Sequence, residues 1–253
     1  VKVDTGLGRG GILTDWTEGV GRLAAAQAEG AAEETGVWSH LAWADAPQHP
    51  TVRAQQVRFE EACAELARAG VRPPLRHLAN SAATLTNPSA HFDLVRPGLA
   101  VYGLSPVPDH GDSAHFGLRE AMRVTARLSI VKRARAGQGL SYGHEYVTER
   151  DTVIGLVPMG YADGIPRAAG RTGPVLVGGR RLTVAGRVCM DQFVLDLGPD
   201  FAGAAGDEVV VLGRAADGEP SAQDWAQAAG TINYEIVTRM SPRLPRVLVG
   251  GQG

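Results

Sequence analysis

Along the first roughly 115 residues, short apolar runs alternate with helical stretches at the spacing of βα units. Val1 to Asp4 reads as a strand, Asp15 to about Glu34 as an alanine-rich helix, and Val37 to Trp43 as a second strand. Thr51 to Ala69 predicts an amphipathic helix. Phe59, Ala62, Cys63 and Leu66 recur on one face at i, i+3, i+4 and i+7, and Gly70 is placed to end the helix. Leu75 to Ala79 predicts a third strand, Ser81 to Leu85 a short helix, and Phe92 to Val95 a fourth strand leading into Arg96-Pro97-Gly98.

After about Leu118 the pattern changes. Residues 122–132, 153–158, 174–177, 181–188, 193–197 and 208–212 are apolar or alternating and rich in β-branched side chains, with Gly, Pro and Asp turns between them. Gln223 to Ala229 reads as one short helix. Four βα units do not close a barrel, which takes about 250 residues with all eight strands. The expected fold class is therefore α/β: residues 1–117 form the C-terminal portion of a (β/α)8 TIM-type barrel, and residues 118–253 a mostly antiparallel β domain. The chain opens in mid-strand without a methionine, so the expectation is that the first barrel units lie upstream.

Composition narrows the partners. Among 253 residues, 44% are hydrophobic and 21% charged, and the formal net charge of −2 offers no attraction to nucleic acid or an anionic membrane surface. No apolar run approaches the roughly 20 residues that span a bilayer. Two cysteines, Cys63 and Cys189, make neither a disulfide framework nor a metal cluster, which points to no metal and to a reducing, cytoplasmic compartment.

Gly6-Leu7-Gly8-Arg9-Gly10-Gly11 satisfies the glycine spacing of a dinucleotide-binding loop. That fingerprint needs an acidic residue at the end of the next strand to hold a ribose. Here the next strand ends Ser39-His40-Leu41-Ala42-Trp43, so the loop reads as something else.

The stretch Lys2-Val3-Asp4-Thr5-Gly6-Leu7-Gly8-Arg9 resembles an alanine racemase segment, with Leu7 where methionine is usual. Further matches follow in family order: His77-Leu78-Ala79-Asn80-Ser81, Val95-Arg96-Pro97-Gly98-Leu99, Ser141-Tyr142-Gly143, Gly160-Tyr161-Ala162-Asp163-Gly164, Gly186-Arg187-Val188-Cys189-Met190-Asp191, and Thr231-Ile232-Asn233-Tyr234-Glu235. They cover essentially the whole chain.

The resemblance implies a pyridoxal-phosphate enzyme that interconverts L- and D-alanine with two bases and supplies D-alanine for peptidoglycan. One base is the cofactor's lysine, expected upstream of these residues. The other matches Tyr142, and His40 is similar to the histidine that contacts it. An unperturbed phenol has a pKa near 10, so such a base needs positive charge or hydrogen bonding nearby. Arg96 matches the arginine that donates to the cofactor's ring nitrogen, which it leaves without a proton because the guanidinium keeps its own. His77, Asn80, Ser81, Gly98, Leu99 and Tyr234 match the cofactor-holding positions; Ser81 also reads as a plain helix N-cap. Arg9 and the Met190 N–H match the groups that hold the substrate carboxylate, and Lys2 matches a lysine that is carbamylated in many members. Tyr161 and Asp163 shape the entrance or a partner contact, although a turn role explains Asp163 and Asp191 equally well. A head-to-tail homodimer with composite sites is implied. A broader serine-accepting racemase, a decarboxylase of the same plan and a cofactor-free binding module are the rival readings.

Overall fold

The computed structural model describes residues 1–33 and 35–250. It falls into two compact units, Val1–Leu118 and the residues from Arg119 onward.

In the first unit, α1 (Trp16–Ala28), β1 (Gly36–Trp38), α2 (Pro50–Arg68), β2 (Leu75–His77) and α3 (Ser81–Thr86) follow one another. β1 and β2 pair in parallel, Gly36 against Leu75 and Trp38 against His77. Lys2 adds a parallel bridge to Trp38, so the predicted first strand is present only as an isolated bridge. α2 starts at Pro50, which suits a first helical turn, and the His49 Nδ1 accepts the Thr51 N–H at 3.3 Å. Of the predicted stripe, Phe59, Ala62 and Leu66 are buried and Cys63 sits at the margin of the same core, which Val52 joins.

Several predicted elements differ in this unit, and the third strand ends at His77 rather than Ala79. The alanine-rich helix stops at Ala28, where Gly30 turns at φ +68°; Glu34, the predicted end, lies outside the described residues. The strand expected from Val37 to Trp43 ends at Trp38, because beyond Ser39 the backbone pairs with the Gln55 side chain, Ala42 N donating to it and His40 O accepting from it, instead of with a neighbouring strand. Phe92 to Val95 is a turn rather than a fourth strand. Phe92 sits at φ +52° edge-on to Phe59, and Asp93 is tied by its backbone and carboxylate to Arg76 in β2. Arg96 alone bridges to Asn80.

The second unit is antiparallel β, as expected. β3 (Val124–Arg127), β11 (Glu208–Leu212), β8 (Pro174–Val177) and β9 (Arg180–Thr183) form one sheet in that order. β10 (Phe193–Gly198), β7 (Thr152–Val157) and β4 (Ile130–Ala134) form another, and β5 (Gly139–Leu140) pairs with β6 (Tyr146–Val147). Alternation on β10 buries Phe193, Leu195 and Leu197. The run 122–132 is two strands, not one. The chain changes sheets at Leu128–Ser129, where Leu128 N donates to Asp207 O and Ser129 N to Leu156 O. The run 181–188 is strand only to Thr183; Val184 bridges Leu195, and Gly186 then turns at φ +89°. α4 (Ala222–Ala229) matches the predicted helix and carries a Ser221/Asp224 capping box, while α5 (Asn233–Thr238) was not anticipated.

Phe59 has no exposed surface. Phe59→Ala is expected to cost about 3–5 kcal/mol, the range for emptying an aromatic core site, measured by urea unfolding followed through tryptophan fluorescence.

Candidate functional site

Asp4 organises the glycine loop. Its carboxylate accepts N–H groups from Gly6 and Leu7 at 2.9 Å each, Arg9 at 3.1 Å and Gly8 at 3.2 Å. Burial pushes this carboxyl up, and the four amides more than reverse that, leaving it below the usual carboxylate range. The loop amides are spent on the chain's own carboxylate, which is why the glycine spacing does not make a pyrophosphate cradle.

The loop ends at Arg9, beside two other cations. Lys2 Nζ lies 4.5 Å from the centre of the Trp38 ring and the Arg96 guanidinium 4.9 Å from the same ring. His77 stacks on Trp38 at 5.9 Å and 5° between planes. Arg96 donates to His77 Nδ1 at 2.8 Å, Ser39 O at 2.7 Å and Leu78 O at 3.2 Å, and reaches His40 Nδ1 at 3.4 Å. Every acceptor is neutral. Among the described residues no carboxylate pairs with Lys2, Arg9 or Arg96, and the Arg96 Nε–H meets no acceptor.

Those cations set the titration of both imidazoles. Burial, then Arg96, Arg9 and Lys2, hold His40 below the ordinary histidine range; burial, then Arg96, do the same to His77. Burial also lowers the Arg96 guanidinium, whose intrinsic basicity still leaves it charged. A fixed cation between neutral rings is an anion- or lone-pair-seeking arrangement.

The predicted cofactor residues of this unit converge as well. Ser81 Oγ accepts the Gly98 N–H at 2.8 Å and the Ala100 N–H at 3.3 Å, with Leu99 buried at the first position of a 3-10 turn. Asn80, not Ser81, is the helix cap: its side-chain oxygen accepts the Ala83 N–H at 3.0 Å. Ser81 is thereby freed from the capping role that sequence alone allowed it.

In the second unit Tyr142 stands 70% exposed, flanked by positive φ values at Ser141, Gly143 and His144. Ser141 Oγ donates to Arg187 O at 2.9 Å, and Arg187 pairs with Glu145 at 2.7 Å. Tyr161 and Met190 are held side by side: Tyr161 N donates to Cys189 O at 3.0 Å and Ala162 N to Met190 O at 2.9 Å. A Cβ on Gly160 would come within 2.3 Å of Cys189 O, so only glycine permits this approach. Buried Asp163 accepts the Gly160 N–H at 2.9 Å, which is the turn role, and Arg243 bridges Asp163 and Asp191. The Met190 N–H has no partner among the described residues. Tyr234 lies in the first turn of α5 and is exposed.

Trp38, Ser39 and Gln55 belong to the first cluster and were missed. Gln55 had a readable signal, a polar residue three after Val52 and four before Phe59 on an otherwise apolar stripe. Trp38 and the Ser39 carbonyl had none.

The first unit is thus a parallel βα assembly with a cationic cluster at its strand ends, and the second an antiparallel β unit presenting an exposed phenol and an unpaired amide. This is a TIM-like barrel domain followed by a β-rich domain. Residues 1–106 match the alanine racemase N-terminal domain, and residues 121–248 the alanine racemase C-terminal domain. The chain is 58% identical over 247 residues to an alanine racemase of Frankia casuarinae, covering 97% of this chain and 64% of that one. An alanine racemase of Streptomyces coelicolor is 57% identical over 251 residues, with 98% and 64% coverage. The crystal structure of alanine racemase from D-cycloserine-producing Streptomyces lavendulae superposes with a TM-score of 0.98 at 58% identity, over all of this chain and 66% of that one. The chain belongs to the alanine racemase family, and it spans about two thirds of the length of these relatives.

Because His40 and His77 are held neutral in the fold, unfolding lets them take up protons near the ordinary imidazole value. Stability is therefore complete above roughly pH 6.5 and is lost as pH falls from there toward the lower folded values. His40→Asn is expected to flatten that decline in a pH series of urea midpoints.

Proposed function

We propose that this chain forms the larger part of a pyridoxal-phosphate-dependent racemase that interconverts L- and D-alanine in the cytoplasm and supplies D-alanine for peptidoglycan. The observation that carries the reading is Arg96: a charged group held by neutral acceptors, with no acid partner and its Nε–H still to give.

The donor set fits the cofactor. Arg96 Nε offers a hydrogen bond to a ring nitrogen that must then stay unprotonated. Ser81 and the Gly98 N–H, already in contact, would take a phosphate oxygen between them, with Leu99 and Tyr234 completing the set and His77 fixing Arg96 from the far side. Asn80 serves this set by capping α3 and so placing Ser81. When bound, pyridoxal phosphate supplies the conjugated sink that makes the amino acid's Cα–H acidic enough to remove.

The chain's own residues do the rest. Arg9 and the Met190 N–H hold the substrate carboxylate, and Tyr161 closes the approach. Tyr142 takes or returns the proton on one face of Cα, and the resemblance gives it His40 as its contact. The resemblance assigns the opposite face to the cofactor's lysine, outside residues 1–253. Lys2, lying over Trp38 beside Gly10 without an acid partner, is suited to carbamylation, which would supply the missing negative charge near Arg9. The active form is a head-to-tail homodimer in which one subunit supplies Tyr142 and Met190 to the other's cluster.

In the full-length protein, loss of optical rotation from L-alanine is the direct assay; release of carbon dioxide instead would identify a decarboxylase. Tyr142→Phe is expected to lower kcat by about 10²–10⁴-fold, the contribution of a positioned base, while the visible absorbance of bound cofactor stays. Unchanged kcat would contradict the role. Mixing Tyr142→Phe subunits with Arg96→Ala subunits is expected to restore up to a quarter of the sites, roughly, if partners recombine at random; no restoration at any ratio would exclude shared sites.

A further inference from the structure

We propose that Gln55 is a positioning residue of this site, fixing the backbone of His40 and the Arg9 loop in one register relative to Arg96. The inference rests on the racemase reading only for its consequence in turnover; the geometry stands by itself.

Gln55 is 1% exposed on α2, a helix that contributes no other residue to the cluster. Its amide is fully used. Oε1 accepts the Ala42 N–H at 2.8 Å, and Nε2 donates to His40 O at 3.0 Å and to Thr5 Oγ1 at 3.1 Å. Thr5 and Ser39, both buried, share a hydrogen bond at 2.9 Å, and Ser39 O accepts from Arg96 at 2.7 Å. One buried polar chain therefore runs from the Asp4–Arg9 turn through Gln55 to the end of β1 and on to Arg96.

The position of His40 depends on this chain. Ser39 N still reaches His77 O at 3.3 Å, but beyond it no strand accompanies residues 40–42. Among the described residues, His40 O and Ala42 N have only Gln55 as partner. The amide side chain stands in for an absent neighbouring strand, offering an acceptor and a donor in the order a ladder would. Without it, two half-buried backbone groups lose their partners and the His40 ring is free to leave Arg96.

The adjacent Gln56 is the internal control. It is also buried, and its amide bonds Ser89 and Glu60, none of them near the cluster. Gln55→Met and Gln56→Met each remove a buried amide at nearly constant volume from the same helix. In the full-length protein both are expected to lower Tm. Only Gln55→Met is expected to lower kcat/KM for alanine per folded molecule, by tenfold or more, and to move the His40 imidazole titration, followed by NMR, upward as the ring leaves Arg96, Arg9 and Lys2. If Gln55→Met does not fold, Thr5→Val, which cuts one link of the chain, is expected to move His40 in the same direction by less. A His40 titration unchanged in the variants, or equal losses of kcat/KM in Gln55→Met and Gln56→Met, overturns the proposal. Absence of alanine racemisation in the wild type would instead overturn the functional reading and leave the NMR test intact.

Discussion

The constraint on which the site depends is an arginine held without an acid. A half-buried guanidinium ordinarily acquires a carboxylate, because the ion pair offsets part of the desolvation cost. Arg96 has two backbone carbonyls and two imidazoles instead, with the face of Trp38 beneath it. Its charge is left uncancelled, and the consequences spread outward. His40 and His77 stay neutral, Arg9 and Lys2 add to the same field, and the cluster is prepared for an anionic or lone-pair ligand in place of an internal partner.

Holding like charges together requires neighbours that cannot relax, and the fold supplies them as backbone. The Asp4 carboxylate gathers four amides to form the loop that ends at Arg9, and Gln55 replaces a strand beside His40. The acid in this region is thus spent on shaping a turn, and the buried amide on fixing a strand end. In the second unit the same economy appears at Gly160, where the missing side chain lets two loops share backbone hydrogen bonds.

Much of this was legible in the sequence. Hydrophobic spacing located α2 and α4 and separated the βα portion from the antiparallel portion, since burial of one face dictates the period. Ordered motifs brought Lys2, Arg9, His77, Ser81 and Arg96 to one family site before any coordinates. Strand ends were not legible. At Trp38 and Leu128 the chain leaves a sheet, and at Phe92 it turns without joining one, beside partners distant in sequence, namely Gln55, Asp207 and Arg76, of which local apolarity carries no trace. Trp38 and the Ser39 carbonyl escaped for the same reason: their roles are set by geometry, not residue type.

The most direct measurement is the ¹⁵N chemical shift of the cofactor's ring nitrogen in full-length protein loaded with labelled pyridoxal phosphate at neutral pH. A charged Arg96 that donates to this atom predicts the shift of an unprotonated pyridine, moving toward the protonated value in Arg96→Glu. A protonated ring nitrogen in the wild-type protein would contradict the account at its centre.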